Sequence, residues 1–224
     1  MTASELISIA SLTLQVGAIA TACAAPPAIA LAYVLVRWRF AGKPLVQAVV
    51  ALPMVLPPVA VGLGLLLLLG RHGPLGDLWQ ALGVEIVFTR TAAVLAAAIV
   101  GFPLLTRTCE QAFAEVDPRL ERVARSLGAG PWRTFWRVSL PLARRGVLYG
   151  ALLAFTRALG EFGATTVVAG ILPGRTETLA LGIYSRVQLG DDGAALALCG
   201  ASFVLALAAM LCAETWLRSR PGVP

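Results

Sequence analysis

The sequence predicts an all-α protein, a bundle of about five helices crossing a lipid bilayer, and three observations carry that prediction. Hydrophobic residues make up 58% of the 224 residues and charged residues 13%, where a soluble globular chain carries about 25% charged. Five stretches stay apolar over the roughly 20 residues that a helix rising about 1.5 Å per residue needs to cross a core about 30 Å thick. The basic residues, all Arg except Lys43, gather on one side of those stretches. Mean hydropathy is +0.81, so lipid is the expected solvent and the chain is read as one transmembrane domain over residues 1–224.

The spans are expected at residues 11–36, 45–69, 91–108, 146–170 and 194–216. The first is too long for the apolar region of a secretory signal, has Glu5 rather than a basic cluster before it, and is followed by Arg37, Arg39 and Lys43. It is expected to remain in the mature protein. Pro26-Pro27, and Pro53, Pro57 and Pro58 in the second span, would break soluble helices, but neighbouring helices in a bundle can satisfy the backbone groups they free. Residues 176–188, with Leu179, Leu181, Ile183 and Tyr184, read either as an interfacial helix or as a partial re-entry.

Orientation follows from the accumulation of Lys and Arg on the cytoplasmic side. One side of the five-span arrangement holds Arg37, Arg39, Lys43, Arg107, Arg119, Arg122, Arg125, Arg133, Arg137, Arg144, Arg145, Arg218 and Arg220; the other holds Arg71, Arg90, Arg175 and Arg186. The N-terminus is therefore expected outside and the C-terminus inside. The formal charge of +6 is then a topology signal, and nucleic-acid binding loses its main support. Cys23, Cys109, Cys199 and Cys212 form no C-x-x-C pair and read as small apolar packing residues. His72, the single histidine, reads as a loop residue, which leaves no histidine metal site and no Ser/His/Asp or Cys/His catalytic set.

Residues 110–141, between the third and fourth spans, are the informative part. Leu120, Val123, Ala124 and Leu127 recur at helical spacing, giving a short amphipathic helix with Arg119, Glu121, Arg122 and Arg125 on its polar side. Gly128 and Gly130-Pro131 end it. A second helical stretch carries Trp132, Phe135, Trp136 and Val138 to Leu140-Pro141.

This segment resembles the E-A-A-x3-G-x9-I-x-L-P motif of ABC importer permeases. Gly128 is followed by nine residues, then Val138, Ser139, Leu140 and Pro141; the three motif positions before it are Arg122, Val123 and Ala124, with the acidic Glu121 one residue early. The resemblance extends over nearly the whole chain and narrows to the molybdate permease group, on residues 52–58 (LPMVLPP), 71–76 (RHGPLG), Val116-Asp117 with Leu120-Glu121, and 157–165 (RALGEFGAT). Sulfate permeases look similar in the coupling segment and the Gly-Glu-Phe-Gly element.

The resemblance implies a type I ABC importer permease fold in the inner membrane, working as two copies with two cytoplasmic ATPase subunits and an external molybdate-binding protein. It implies that Glu121, Arg122, Val123, Ala124, Leu127, Gly128, Val138, Leu140 and Pro141 couple to the ATPase. The cargo it implies is molybdate, with tungstate or sulfate as alternatives. The chain lacks G-x-x-x-x-G-K-[ST], so ATP and its Mg ion are expected on the partner and no cofactor in this subunit, which is not read as an enzyme. A channel or membrane-embedded enzyme would share the hydrophobicity but would not explain the Gly-x9-Val-x-Leu-Pro spacing.

Arg157 and Glu161 are the charges expected deepest in the bilayer. Counting about 1.5 Å per residue from Gly146 puts Arg157 roughly 16 Å along span four. A charge there costs at least about 2.5 to 3.5 kcal/mol on insertion scales, so each should face protein or a water-filled path. Their spacing of four puts both on one helix face, and Gly160 and Gly163 allow close approach of another helix. The pair either fixes helix packing or, with Pro57, Pro58 and Phe162, lines or gates the path of the transported anion.

Overall fold

The computed structural model describes residues 2–218; Arg220, counted above among the basic residues, lies outside them. Among the described residues four helices are long and apolar enough to cross a membrane, and a sharply bent pair makes a fifth if it is counted as one span. In chain order the elements are α1 (Ala3–Arg37), α2 (Lys43–Val55), α3 (Pro58–Leu69), α4 (Gly76–Ala81), α5 (Arg90–Ala114), α6 (Pro118–Ser126), α7 (Pro131–Thr134), a π-helical turn (Phe135–Ser139), α8 (Leu140–Leu159), α9 (Gly163–Val168), α10 (Leu179–Gln188) and α11 (Asp192–Arg218).

The bundle is assembled on α5. One stretch of it supplies Ala92, Ala93, Ala96, Ala97 and Val100 to a core shared with Leu12, Val16 and Ala20 of α1 and with Ala164 and Val168 of α9. Further along, Leu105, Cys109, Ala112 and Phe113 meet Ala24, Ala28 and Ala32 of α1 and Ala143, Val147 and Ala154 of α8. Small side chains at intervals of four let backbones approach closely, which is how helices gain contact where lipid removes the hydrophobic drive to associate. That packing holds α1 unbroken through Pro26 and Pro27. Thr2 and Glu5 close a capping box at its start, so α1 extends well beyond the expected residue 11. Of the cysteines, Cys109 is buried in the core, while Cys23, Cys199 and Cys212 are exposed rather than packed.

Two expected spans are broken. The second divides at Leu56 and Pro57, where α2 and α3 meet at 109°. Each of these residues precedes a proline, which disfavours the helical region, and both are extended: φ −69°, ψ 145° at Leu56 and φ −54°, ψ 132° at Pro57. The fourth span starts earlier than expected, continuing from α7 through the π turn into α8, and ends at Gly160 instead of residue 170. Residues 179–188 form the separate helix α10, which packs on α11. Their upstream strap is tied into the bundle by the Leu179 amide, which donates to Thr13 Oγ1 at 2.8 Å.

Candidate functional site: a coupling unit and a mid-chain crossing

The first candidate site is built from α6, α7 and the π turn. Asp117 caps α6 by accepting from the Arg119 amide at 2.8 Å, and Pro118 occupies the first turn, where a missing N–H costs nothing. Gly128 ends the helix at φ +85°, a left-handed conformation that a side chain disfavours. A Cβ built there would meet nothing within 4 Å, so the backbone conformation, and not crowding within this chain, calls for glycine.

α6 forms where expected, but both of its sides are open: Arg119, Arg122 and Arg125 are exposed as expected, Glu121 alone of the polar side turns inward, and the apolar side is exposed as well. Leu120, Val123 and Leu127 are exposed, Leu127 by 82%, and Trp132 and Trp136 of the following turns are exposed beside them. Glu121, assigned above to the polar, ATPase-contacting side, is instead only 4% exposed. Its Oε1 accepts from Arg37 Nε at 2.8 Å and from Ser139 Oγ at 2.7 Å. A carboxylate so enclosed is stable because two donors replace its water, and it is not part of the free surface. Arg122 is exposed and Ala124 half-buried. Val138 and Leu140 are half-buried, Leu140 against the core, while Pro141 lies exposed in the first turn of α8; these three set the start of α8 more than they form a docking face.

Behind the exposed indoles an aromatic chain runs inward. Trp132 and Trp136 contact Phe135, with centroids 6.2 and 5.4 Å away, and Phe135 contacts Tyr33 of α1 at 4.9 Å and Phe113 of α5 at 6.1 Å. The π turn helps to make this possible, because its extra residue shifts the phase of the helix between α7 and α8.

The second candidate site is the crossing of the two broken spans. A Cβ on Gly163 would lie 2.8 Å from Pro58 Cβ, and one on Gly62 would lie 2.5 Å from the Ala164 carbonyl oxygen. Glycine is thus required on both sides of the contact between α3 and α9. Gly160, by contrast, has no neighbour within 4 Å of a built Cβ; it stops α8 and admits no helix within this chain. The structure therefore brings Pro58 to the Gly163 end of the Arg157–Glu161–Phe162 segment, as a crossing of two corners and not as the face of one continuous helix.

At this crossing Glu161 Oε2 lies 2.9 Å from Arg157 Nη1, with side-chain exposures of 2% and 38%. The pair forms although Gly160 has ended the helix between them. Glu161 Oε1 accepts from the Ala164 amide at 2.9 Å, which places a carboxylate at the start of α9. Oε2 is buried with no donor hydrogen aimed at it, so its contact with Arg157 is one of charge without a directed hydrogen bond. Phe162 packs on Tyr184 of α10, centroids 5.0 Å apart. Pro57, Pro58 and Gly160 are exposed on the chain's own surface.

Other polar groups were not singled out from sequence. Glu110 receives Arg107 Nη1 at 3.1 Å and Gln47 Nε2 at 3.3 Å, tying α2 to α5. Glu177 is buried with its Oε1 3.8 Å from Arg186 Nη2, beyond hydrogen-bonding distance. A polar residue inside an apolar run is the available signal for such groups, and it does not name the partner. At the end of the bundle opposite the coupling unit, a cavity of about 940 Å³ lies between Leu66, Trp79, Phe88 and Arg175.

Comparison with known proteins gives consistent results. Residues 11–220 match the family described as binding-protein-dependent transport system inner membrane component. The chain is 43% identical over 217 residues, 94% of each chain, to the molybdenum transport system permease protein ModB of Escherichia coli K12. It is 40% identical over 214 residues to the sulfate transport system permease protein CysW of Synechococcus elongatus, covering 93% of this chain and 75% of that one. Among solved structures, a chain of the inward-facing MetNI methionine ABC transporter superposes with a TM-score of 0.74 at 18% identity, over 98% of this chain and 99% of that one.

Proposed function

The chain belongs to the binding-protein-dependent transport system inner membrane component family, and from that premise we propose that it carries molybdate through a two-fold assembly driven by ATPase partners. As a member it is a multi-pass inner-membrane permease with the type I importer fold, and not itself an enzyme. The cargo reading rests on the similarity to ModB over 94% of both chains. The sulfate permease is the favoured alternative because its identity is nearly as high, although it runs well beyond this chain in length.

The observation that carries the ATPase partnership is the exposed apolar set Leu120, Val123 and Leu127 of α6 and its end, with Trp132 of α7 and Trp136 of the π turn, while the one acid of α6 is turned inward. Burying a leucine side chain from water stabilises by about 1.5–3 kcal/mol. A cytoplasmic cleft that covers these residues therefore gains affinity from surface the isolated chain leaves wet. ATP and its Mg ion belong to that partner, and an external binding protein delivers the anion on the other side.

The second copy is read from the crossing. Irregular backbone at membrane depth is tolerated only inside protein or beside water, yet the corners at Pro57-Pro58 and Gly160 are exposed on this chain and Arg157 is more than a third exposed. A second copy related by a two-fold axis would enclose both corners around a path. Arg157 then offers a cation to a passing oxyanion, and Glu161 offsets it when the path is closed. Coupling-helix movement would exchange inward-open and outward-open arrangements, with differential contacts in each.

The test is uptake into vesicles holding this chain, its ATPase and its binding protein. ATP-dependent accumulation of molybdate in preference to sulfate supports the reading. Preference for sulfate transfers it to the alternative cargo, and uptake without an ATPase removes it. Orientation has its own check: Ser126→Cys, in a background without the native cysteines, should not react with an impermeant thiol reagent in intact cells, and reaction there would invert the topology.

A further inference from the structure

Arg37 is the last residue of α1, and it is occupied on two sides. Nε donates to Glu121 Oε1 at 2.8 Å and Nη2 donates to the Val116 carbonyl oxygen at 3.0 Å. Its side chain is 11% exposed and that of Glu121 6%. Ser139 Oγ donates to the same carboxylate oxygen at 2.7 Å from the end of the π turn. The buried ion pair thus joins four pieces of chain: the carboxylate ties the first turn of α6 to the end of α1 and to the turn that opens α8, and the guanidinium adds the linker after α5. The aromatic contacts of Tyr33 with Phe113 and Phe135 repeat the same union one helical turn along α1.

We propose that Arg37 is a positioning residue that welds the N-terminal span to the coupling helix, so that displacement of α6 moves α1 directly and not only through α8. The inference rests on the reading of α6 and α7 as the ATPase-docking unit. Guanidinium suits the task because its rigid fork fixes two acceptors in one plane, whereas an ammonium would hold a single point. The low exposure of the pair keeps water and salt from replacing either bond. Without the weld, α6 would still seat in its partner, but its motion would reach the span that packs along α5 only through side-chain packing.

The experiment uses the whole complex in proteoliposomes with molybdate-loaded binding protein, comparing Glu121→Gln, Arg37→Lys and Ser139→Ala with the unaltered chain. Assembled complex, ATP hydrolysed and molybdate imported are measured together. In Glu121→Gln we expect assembly and hydrolysis within about twofold of the unaltered complex and molybdate imported per ATP lowered at least tenfold. Arg37→Lys, which keeps the charge, and Ser139→Ala, which keeps the ion pair, should lower that ratio by smaller factors. A merely structural role leaves the ratio unchanged while amount and both rates fall together; that result overturns the proposal, as does failure of all three variants to assemble or an unaltered ratio at full assembly. If the unaltered complex shows no ATP-dependent import, the docking reading itself fails, and the inference falls with it for a different and visible reason.

Discussion

Two of the chain's Arg–Glu pairs, of nearly equal length, are built to opposite plans. Arg37 and Glu121 are 84 residues apart in sequence, 2.8 Å apart in space, and enclosed together. Arg157 and Glu161 are four apart and 2.9 Å distant, with the acid buried and the cation 38% exposed. In the first pair the guanidinium reaches two acceptors and the carboxylate oxygen takes a second donor from Ser139. The second leaves Glu161 Oε2 without an aligned donor and Arg157 facing outward. Enclosure suits a joint that must transmit movement; an incomplete pair suits a site where another anion takes a turn.

The largest effect should come from breaking the enclosed pair outright. Glu121→Leu removes, besides the charge, the acceptor that a glutamine would keep for Arg37 and Ser139; a guanidinium buried with no partner there costs about 3–5 kcal/mol, and the amount of assembled complex recovered from membranes should fall accordingly. Near-normal recovery would mean that Arg37 finds water there and that the two pairs differ less than their burial implies. Next comes Glu161→Gln. The amide can still accept from Ala164, so assembly should persist while uptake is lost or becomes leaky, and normal ATP-dependent uptake would end the gating role of the open pair.

Smaller in stability is Gly128→Trp, which forces a side chain into a left-handed backbone conformation at about 1–2 kcal/mol. Membrane levels should stay normal while transport falls to background, and transport at the unaltered rate would take the coupling assignment away. The smallest effect is expected for Phe162→Leu. It keeps the apolar bulk and loses a ring contact worth about 0.5–1.5 kcal/mol, so uptake should shift by no more than a few-fold.

What could be read from sequence follows the same division between local and distant. The amphipathic helix expected near Leu120 to Leu127 is α6, and its glycine stop is where spacing put it. The Arg157–Glu161 contact was expected from helical spacing, and it forms although α8 ends at Leu159 between the two. Glu121 was assigned to the wrong side because helical period shows which residues share a face but not what covers that face. Its partner lies 84 positions away, while the arginines beside it and the apolar residues are both left open. The break at Leu56-Pro57 lies inside an apolar run and that at Gly160 between Arg157 and Glu161, and neither setting shows where a helix must end. Prolines gave fair warning in both α1 and the second span, and only packing decided that Pro26-Pro27 would be absorbed and Pro57-Pro58 would not.

The corner at Pro57-Pro58 has a mechanical consequence. A flexible hinge needs residues with several accessible backbone states, and here two successive φ angles are locked by rings while the residue before each is biased towards the extended geometry that both adopt. Such a corner has little conformational entropy to surrender on folding and little freedom to regain in motion. The right-angled unit of α2 and α3 should therefore behave as a stiff bracket that turns as a whole, sweeping one arm through lipid as the other tilts across the path.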